Sequence, residues 1–350
     1  MLPRQLLRLF VLLMLALPVT AAFAQQPCSD IPGCQGALGV PQSVFDAYPK
    51  PNVNTLPIDD SLIYDRIYRK IHGPVNITDS PGGNVVGSLG SGFTYVTLNG
   101  TNGDWSQIDK DQWVPSSALT DDVLVSRYSG VLLPADPLPY PTAWTMKHLR
   151  PASVPGGDDD PNNPFMYRYT LVNLYTYVMV DGKRWYQVGP NQWIHQYNVA
   201  KITPIAKPAS IDTHKWVAVD LYEQSLVAYE DDKPVFSTLI SSGLKDWPTN
   251  EGLFHVYLRY ERTAMSGAVQ GSDFYSLQEV PWTMYFDHDI ALHGTYWHDG
   301  FGYRHSHGCV NMSITDAHWL YEWSADETDY SVPNDPGMAV YVYSSGDYDS

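Results

Sequence analysis

Residues 293–311 read HGTYWHDGFGYRHSHGCVN and hold four of the chain's eleven histidines and one of its three cysteines. A thiol beside an imidazole is a set for nucleophilic catalysis. The sulfur attacks well only when a base takes its proton. Histidine, with an ordinary pKa of about 6.5, can take that proton and later return it to a leaving amine. His293 precedes Cys309 by sixteen residues, and His307 precedes it by two. Ser306-His307-Gly308-Cys309 reads as a tight turn. Gly308 lets the backbone bend and aim its amides at one point, as an acyl-transfer site needs for its oxyanion.

Other chemistries use the same residue types. His288, His293, His298, His305 and His307 beside one cysteine could ligate zinc. No C-x2-C pair or H-E-x-x-H motif accompanies them, which argues against a dedicated metal. Papain-like and NlpC-type peptidases place the cysteine well before the histidine, whereas only His318 follows Cys309 here. A sortase needs an arginine after its cysteine, and no Lys or Arg follows Arg304. The run GGDDDPNNP at 156–164 lacks the alternating acids of a calcium loop and reads as a solvated turn.

The first 24 residues read as an export signal. Arg4 and Arg8 precede the apolar run Leu9–Val19, and Ala22-Phe23-Ala24 is a small-x-small cleavage site. The run is short for a membrane anchor, which needs about 20 apolar residues. The mature chain is therefore expected outside the cytoplasmic membrane, with no membrane span after cleavage. In an oxidising compartment Cys28 and Cys34 can close a small loop, leaving Cys309 unpaired. A formal net charge of -17 argues against nucleic acid or an anionic membrane surface as a partner.

The elements that must position these residues read as mostly β. Tyrosine (25) and tryptophan (11) are abundant, with many glycines and prolines between short apolar stretches. Residues 25–61 are Pro-rich and aperiodic, as in a tether. An internal repeat follows. WSQIDKDQW at 105–113 and WYQVGPNQW at 185–193 share W-x-Q-[IV]-x4-QW at an offset of 80. Each copy follows a Tyr-Val strand and a turn, which suggests two small barrels, at 62–122 and 123–206. Paired tryptophans in such barrels more often fill the core than form a binding platform.

From about 212 the texture changes. KWVAVDLYEQSLVAYEDDKPVFSTLISSG reads as three strands with turns at Glu223-Gln224 and Asp231-Asp232-Lys233. Residues 261–280 are looser, like a flap. MYFDHDIALHGT gives strands ending at His293. MSITDAHWLYEWS reads as a helix, with Ser313 and Asp316 at its start. PGMAVYVYSS reads as a closing strand.

HG at 293–294 followed by SHGCVN at 306–311 resembles the signature of L,D-transpeptidases with a YkuD-type catalytic domain. The opening strands, Ser241-Ser242-Gly243 and the PTNEG segment at 248–252 resemble the start of that domain, although the family more often has Thr-Pro at Thr249-Asn250. The repeats resemble the bacterial SH3-like modules that accompany cell-wall enzymes. The resemblance implies a β-sandwich-like catalytic domain at 212–346 with one packed helix, behind two SH3-like modules. It implies Cys309 as nucleophile, His293 as base and acid, and the Gly294 carbonyl as its orienting group. The amides of His307, Gly308 and Cys309 would form the oxyanion hole, with Ser306 and Asn311 supporting loop and substrate. Tyr296, Trp297 and Tyr303 are expected to line the cleft, with core packing the alternative, while Arg304, standing where the family often has proline, reads as a surface residue with binding of a substrate carboxylate as the alternative. No cofactor is implied. The implied partners are peptidoglycan stem peptides and carbapenem-type β-lactams, the implied product a 3-3 cross-link. With water as acceptor the same site would be a carboxypeptidase, and a non-catalytic wall-binding protein is the rival reading.

Overall fold

The computed structural model describes residues 39–90, 92–120, 123–267, 274–327 and 337–347. The expected export signal, Cys28 and Cys34 lie outside the described residues. The fold is mostly β, as the composition implies.

In the C-terminal half we number the strands β1 Lys215–Asp220, β2 Ser225–Glu230, β3 Lys233–Leu239, β4 Gly252–His255, β5 Leu258–Gly267, β6 Tyr275–Asp287, β7 Ile290–Gly294, β8 Val310–Met312 and β9 Ala339–Tyr343. The helix α1, Ile314–Trp323, follows β8 directly. The first three strands fall where the sequence places them. Gln224 and Asp231 take positive φ in the two tight turns, at 51° and 49°. Ser313 caps α1 by accepting the Asp316 N–H at 3.1 Å, which satisfies one of the free amides of the first turn.

Two sheets enclose the core. One runs β3-β2-β1-β9-β4, with β9 parallel to β1. The other contains β5, β6, β7 and β8. Val217, Val219, Leu226 and Phe236 of the first sheet pack with Met284, Leu292, Val310 and Met312 of the second and with Ala317 and Leu320 of α1. Trp216, Ala218, Val227 and Leu239 point to the opposite face. There they meet Trp144, Met146, Ala200 and Ile202 from the N-terminal half. A strand covered on both sides needs no polar alternation, which is why KWVAVD lacks it.

The repeat is a repeated hairpin. Gln107 pairs with Trp113, and Gln187 with Trp193, each with a bulge just after the glutamine. Asp111 and Asn191 hold the same positive φ in the two turns, at 54° and 52°. The surroundings differ. A five-stranded sheet holds the first hairpin, whereas the second forms a three-stranded sheet with Thr176–Val180. Trp193 is buried, while Trp105, Trp113 and Trp185 are half-buried. At 156–164, the Asp160 carboxylate accepts the Asn162 N–H at 2.8 Å, a local turn.

Two expectations need correction. The described part of the tether, 39–61, is folded: a short helix at Gln42–Ala47 buries Phe45 edge-on against Tyr175. Next, Asn54–Thr55 pairs with Val131–Leu132, which in turn extends the first sheet at β3. The described residues within 261–280 are not loose, since all but Phe274 lie in the paired strands β5 and β6. The N-terminal half also shares a sheet with the C-terminal half. Phe93–Thr97 adds in parallel to β6, pairing Phe93 with Tyr275, and Tyr68–Lys70 extends the same sheet. Partner choice over such distances is not encoded in local periodicity.

Candidate active site

β7 and β8 are adjacent and parallel, with His293 opposite Asn311 and Leu292 opposite Val310. Alternation along a strand then puts Ala291, His293, Cys309 and Asn311 on one face. The Ala291 N–H donates to Cys309 Sγ at 3.4 Å, one rung from His293. The sixteen-residue spacing is thus a crossover from the end of one strand to the start of its neighbour.

His293 is 2% exposed. Its Nδ1–H donates to the Gly294 carbonyl at 3.1 Å, which leaves the lone pair on Nε2. Burial pushes its pKa down to about 4. The Cys309 thiol is half-buried and unpaired. It donates to the Asp289 carbonyl at 3.7 Å. Burial pushes its pKa up to about 11, with the Ala291 N–H acting in the opposite sense. The resting pair is therefore neutral imidazole and neutral thiol. No hydrogen bond joins them; catalytic contacts commonly tighten only when substrate is bound.

The SHGC turn is over-determined. Gly308 sits at φ +115°, and a Cβ there would stand 3.3 Å from Ile290. Ser306 Oγ donates to the Cys309 carbonyl and accepts the Gly308 N–H at 3.1 Å. Thr249 Oγ1 donates to the Gly308 carbonyl at 2.7 Å and accepts the Gly243 N–H at 2.9 Å. Ser241 exchanges two 2.9 Å backbone bonds with Asn311, and the Ser242 carbonyl accepts the His305 N–H at 2.9 Å. The SSG and PTNEG segments thus cradle the SHGC turn. Asn250 ties instead to Asp287, at 2.7 Å.

The other expected site residues divide. Trp297 lies beside the imidazole, with ring centroids 5.7 Å apart. The exposed His307 ring packs against Trp247 at 4.4 Å and Tyr275 at 5.0 Å, so it reaches the start of β6. Tyr296 does not line a cleft. It is 0% exposed, stacked on Tyr68 at 3.6 Å, and its hydroxyl donates to the Gln278 carbonyl. Tyr303 and Arg304 line a different hollow of about 920 Å³, shared with Lys183, Lys201 and Glu223. The Tyr303 hydroxyl is held there by the Met146 carbonyl at 3.0 Å.

A clamp on the loop between His293 and Cys309 was not foreseen. Arg168 donates to the carbonyls of Asp299 and Phe301, at 2.8 and 2.7 Å. Tyr169 donates to the same Asp299 carbonyl at 2.8 Å, and Ser126 to its carboxylate at 2.5 Å. All three lie before the catalytic half, and nothing local in the sequence marks them.

Residues 214–342 match the family model of the L,D-transpeptidase catalytic domain, YkuD. This segment is a YkuD-type L,D-transpeptidase domain. A relative described as a putative L,D-transpeptidase of Bacillus subtilis, YciB, is 30% identical over 122 residues, or 31% of this chain. The match spans 60% of that relative's length. An Enterococcus faecium L,D-transpeptidase carrying a cysteine-to-serine substitution is 26% identical over 38% of this chain and 50% of its own, with a TM-score of 0.32. The catalytic domain of the E. faecium enzyme acylated by ertapenem is 25% identical over 38% of this chain and 100% of its own, with a TM-score of 0.31. The L,D-transpeptidase domain contains His293, Gly294 and the whole SHGCVN turn, while the Arg168 clamp lies before it.

Proposed function

We propose that the chain is an exported peptidoglycan L,D-transpeptidase with Cys309 as nucleophile. The observation that carries this reading is the placement of His293, oriented by Gly294, one rung from the thiol on the β7–β8 pair. Cys309 Sγ turns from the Asp289 carbonyl toward Nε2 as the acyl donor binds. The sulfur attacks the carbonyl of stem residue three while its proton passes to Nε2. Because the resting pair is neutral, the thiolate forms during attack and is not stored beforehand.

The new S–C bond leaves charge on the carbonyl oxygen. The Gly308 amide already serves Ser306, so we assign that charge to the Cys309 amide. On collapse the C–N bond to the terminal D-alanine breaks. Nε2 returns the proton to that amine, and a thioester remains. An amine of a neighbouring stem then attacks the thioester and gives its proton to Nε2. Loss of the sulfur closes the 3-3 cross-link, and the proton returns to the thiolate. Water in place of the amine would make the product a tripeptide.

The apolar N-terminal run supports export, and an unpaired thiol serves as reagent. The test is incubation of the whole chain with stem tetrapeptide. The expected result is D-alanine release with a cross-linked dimer. Release with tripeptide alone would indicate the carboxypeptidase. No release, with peptidoglycan retained on the protein, would indicate the wall-binding reading.

A further inference from the structure

His298 takes no part in the roles above. It sits half-buried in the loop between β7 and β8, stacked on His305 at 4.1 Å. Its Nδ1 accepts the Gly300 N–H at 2.9 Å. Its Nε2 stands 2.9 Å from the Asn311 side-chain amide, with the Nδ2 end toward the ring. Burial, then the neighbouring His305, His293 and Arg168, push its pKa down to about 3, so the ring is neutral at ordinary pH.

A neutral imidazole has one N–H and one lone pair. It cannot accept from both the Gly300 amide and an Asn311 NH2. The Gly300 N–H is fixed by the backbone. A side-chain amide can turn end for end, and its orientation follows from its partners. Asn311 is 1% exposed, and its Oδ1 is buried without a partner. Turning the amide removes the donor conflict at the ring: Nε2–H then donates to Oδ1. The NH2 takes the buried place that Oδ1 leaves.

We propose that His298 is a positioning residue for the catalytic pair, holding the Asn311 amide by its oxygen so that the NH2 end stays on the face shared by His293 and Cys309. This rests on the transpeptidase reading. Asn311 is the rung partner of His293, so its amide dipole lies beside the reacting groups in a site of low polarity. With the NH2 end there, it favours negative charge on sulfur or acyl oxygen. Reversed, it would oppose that charge.

The test compares the wild-type chain with His298→Leu and His298→Gln in acylation by ertapenem. Glutamine can reproduce both bonds, accepting from Gly300 and donating to Asn311. Leucine can reproduce neither. The expected result is an acylation step slowed up to about a hundredfold in His298→Leu, at unchanged half-saturating ertapenem, and largely restored in His298→Gln. Equal rates in all three, or a glutamine variant as slow as the leucine variant at equal melting temperature, would overturn the proposal. Nitrogen-15 NMR of wild-type His298 decides independently of activity. Protonation at Nε2 is expected, and protonation at Nδ1 would overturn it. A wild type that is never acylated would sink the transpeptidase reading instead, and the NMR result would still stand.

Discussion

Arg168 donates to the Asp299 carbonyl at 2.8 Å, tying the N-terminal half to the loop between His293 and Cys309. A second bond reaches the Phe301 carbonyl, and the guanidinium also lies over the Tyr169 ring at 4.3 Å. The loop between His293 and Cys309 is therefore held by residues outside the family domain. Hydrogen bonds from a charged group are worth about 1.5–3 kcal/mol each. Arg168→Ala, which removes both bonds, should lower stability by about 3 kcal/mol or more and slow acylation by up to about a hundredfold. Lysine should restore little, because one ammonium cannot reproduce the fork that reaches two carbonyls. Urea unfolding together with ertapenem acylation rates checks both parts.

The pH profile should follow from the neutral resting pair. His293 must be unprotonated to act as base, and its pKa is lowered to about 4. Activity should rise through about pH 4 and stay flat across neutrality, with no inflection near 6.5. The thiol, raised to about 11, should alkylate slowly with iodoacetamide at neutral pH. Profiles of kcat/KM and of alkylation rate measure the two separately. The same shift bears on stability. Because the folded pKa of His293 lies below the unfolded value of about 6.5, its contribution is present above that value and lost as pH falls toward about 4.

Gly308→Ala should damage the turn and little else. The residue sits at φ +115°, a conformation that costs a side-chain-bearing residue roughly 1–3 kcal/mol. The added Cβ would also press on Ile290. Circular dichroism should be unchanged while acylation is nearly abolished.

Asp316 gives a pH effect of opposite sign. It is fully buried, accepting from Thr238 Oγ1 at 2.6 Å and from the Gly130 amide at 2.8 Å. Burial raises its pKa to about 6, above the unfolded carboxylate at about 4. Its contribution is full below about pH 4 and is lost as pH rises through about 6. The stability difference between wild type and Asp316→Asn should therefore fall by up to about 3 kcal/mol between about pH 4 and 7. Urea midpoints at several pH values measure it.

Much of the catalytic half was legible because its signals are local. Gln224 and Asp231 mark turns, Ser313 caps α1, and HG with SHGC carries its spacing in one loop. The Trp-x-Gln repeat was legible for the same reason, although the bulge that both copies share was not. What stayed hidden is long-range. Tyr296 reads as a cleft aromatic until Tyr68 is found stacked on it, and Phe93 gives no sign that it pairs with Tyr275. The tether and flap misled because proline and glycine content reports local propensity. Their order comes from burial of Phe45 and from pairing between β5 and β6. Arg168 is one arginine among many until its two carbonyl partners are in place.

The most direct test of Cys309 as nucleophile is mass spectrometry of the whole chain after incubation with ertapenem. One covalent adduct is predicted on wild type, mapping to the peptide that contains Cys309, and none on Cys309→Ala. An unmodified wild type, or an equal adduct on the alanine variant, would contradict the assignment.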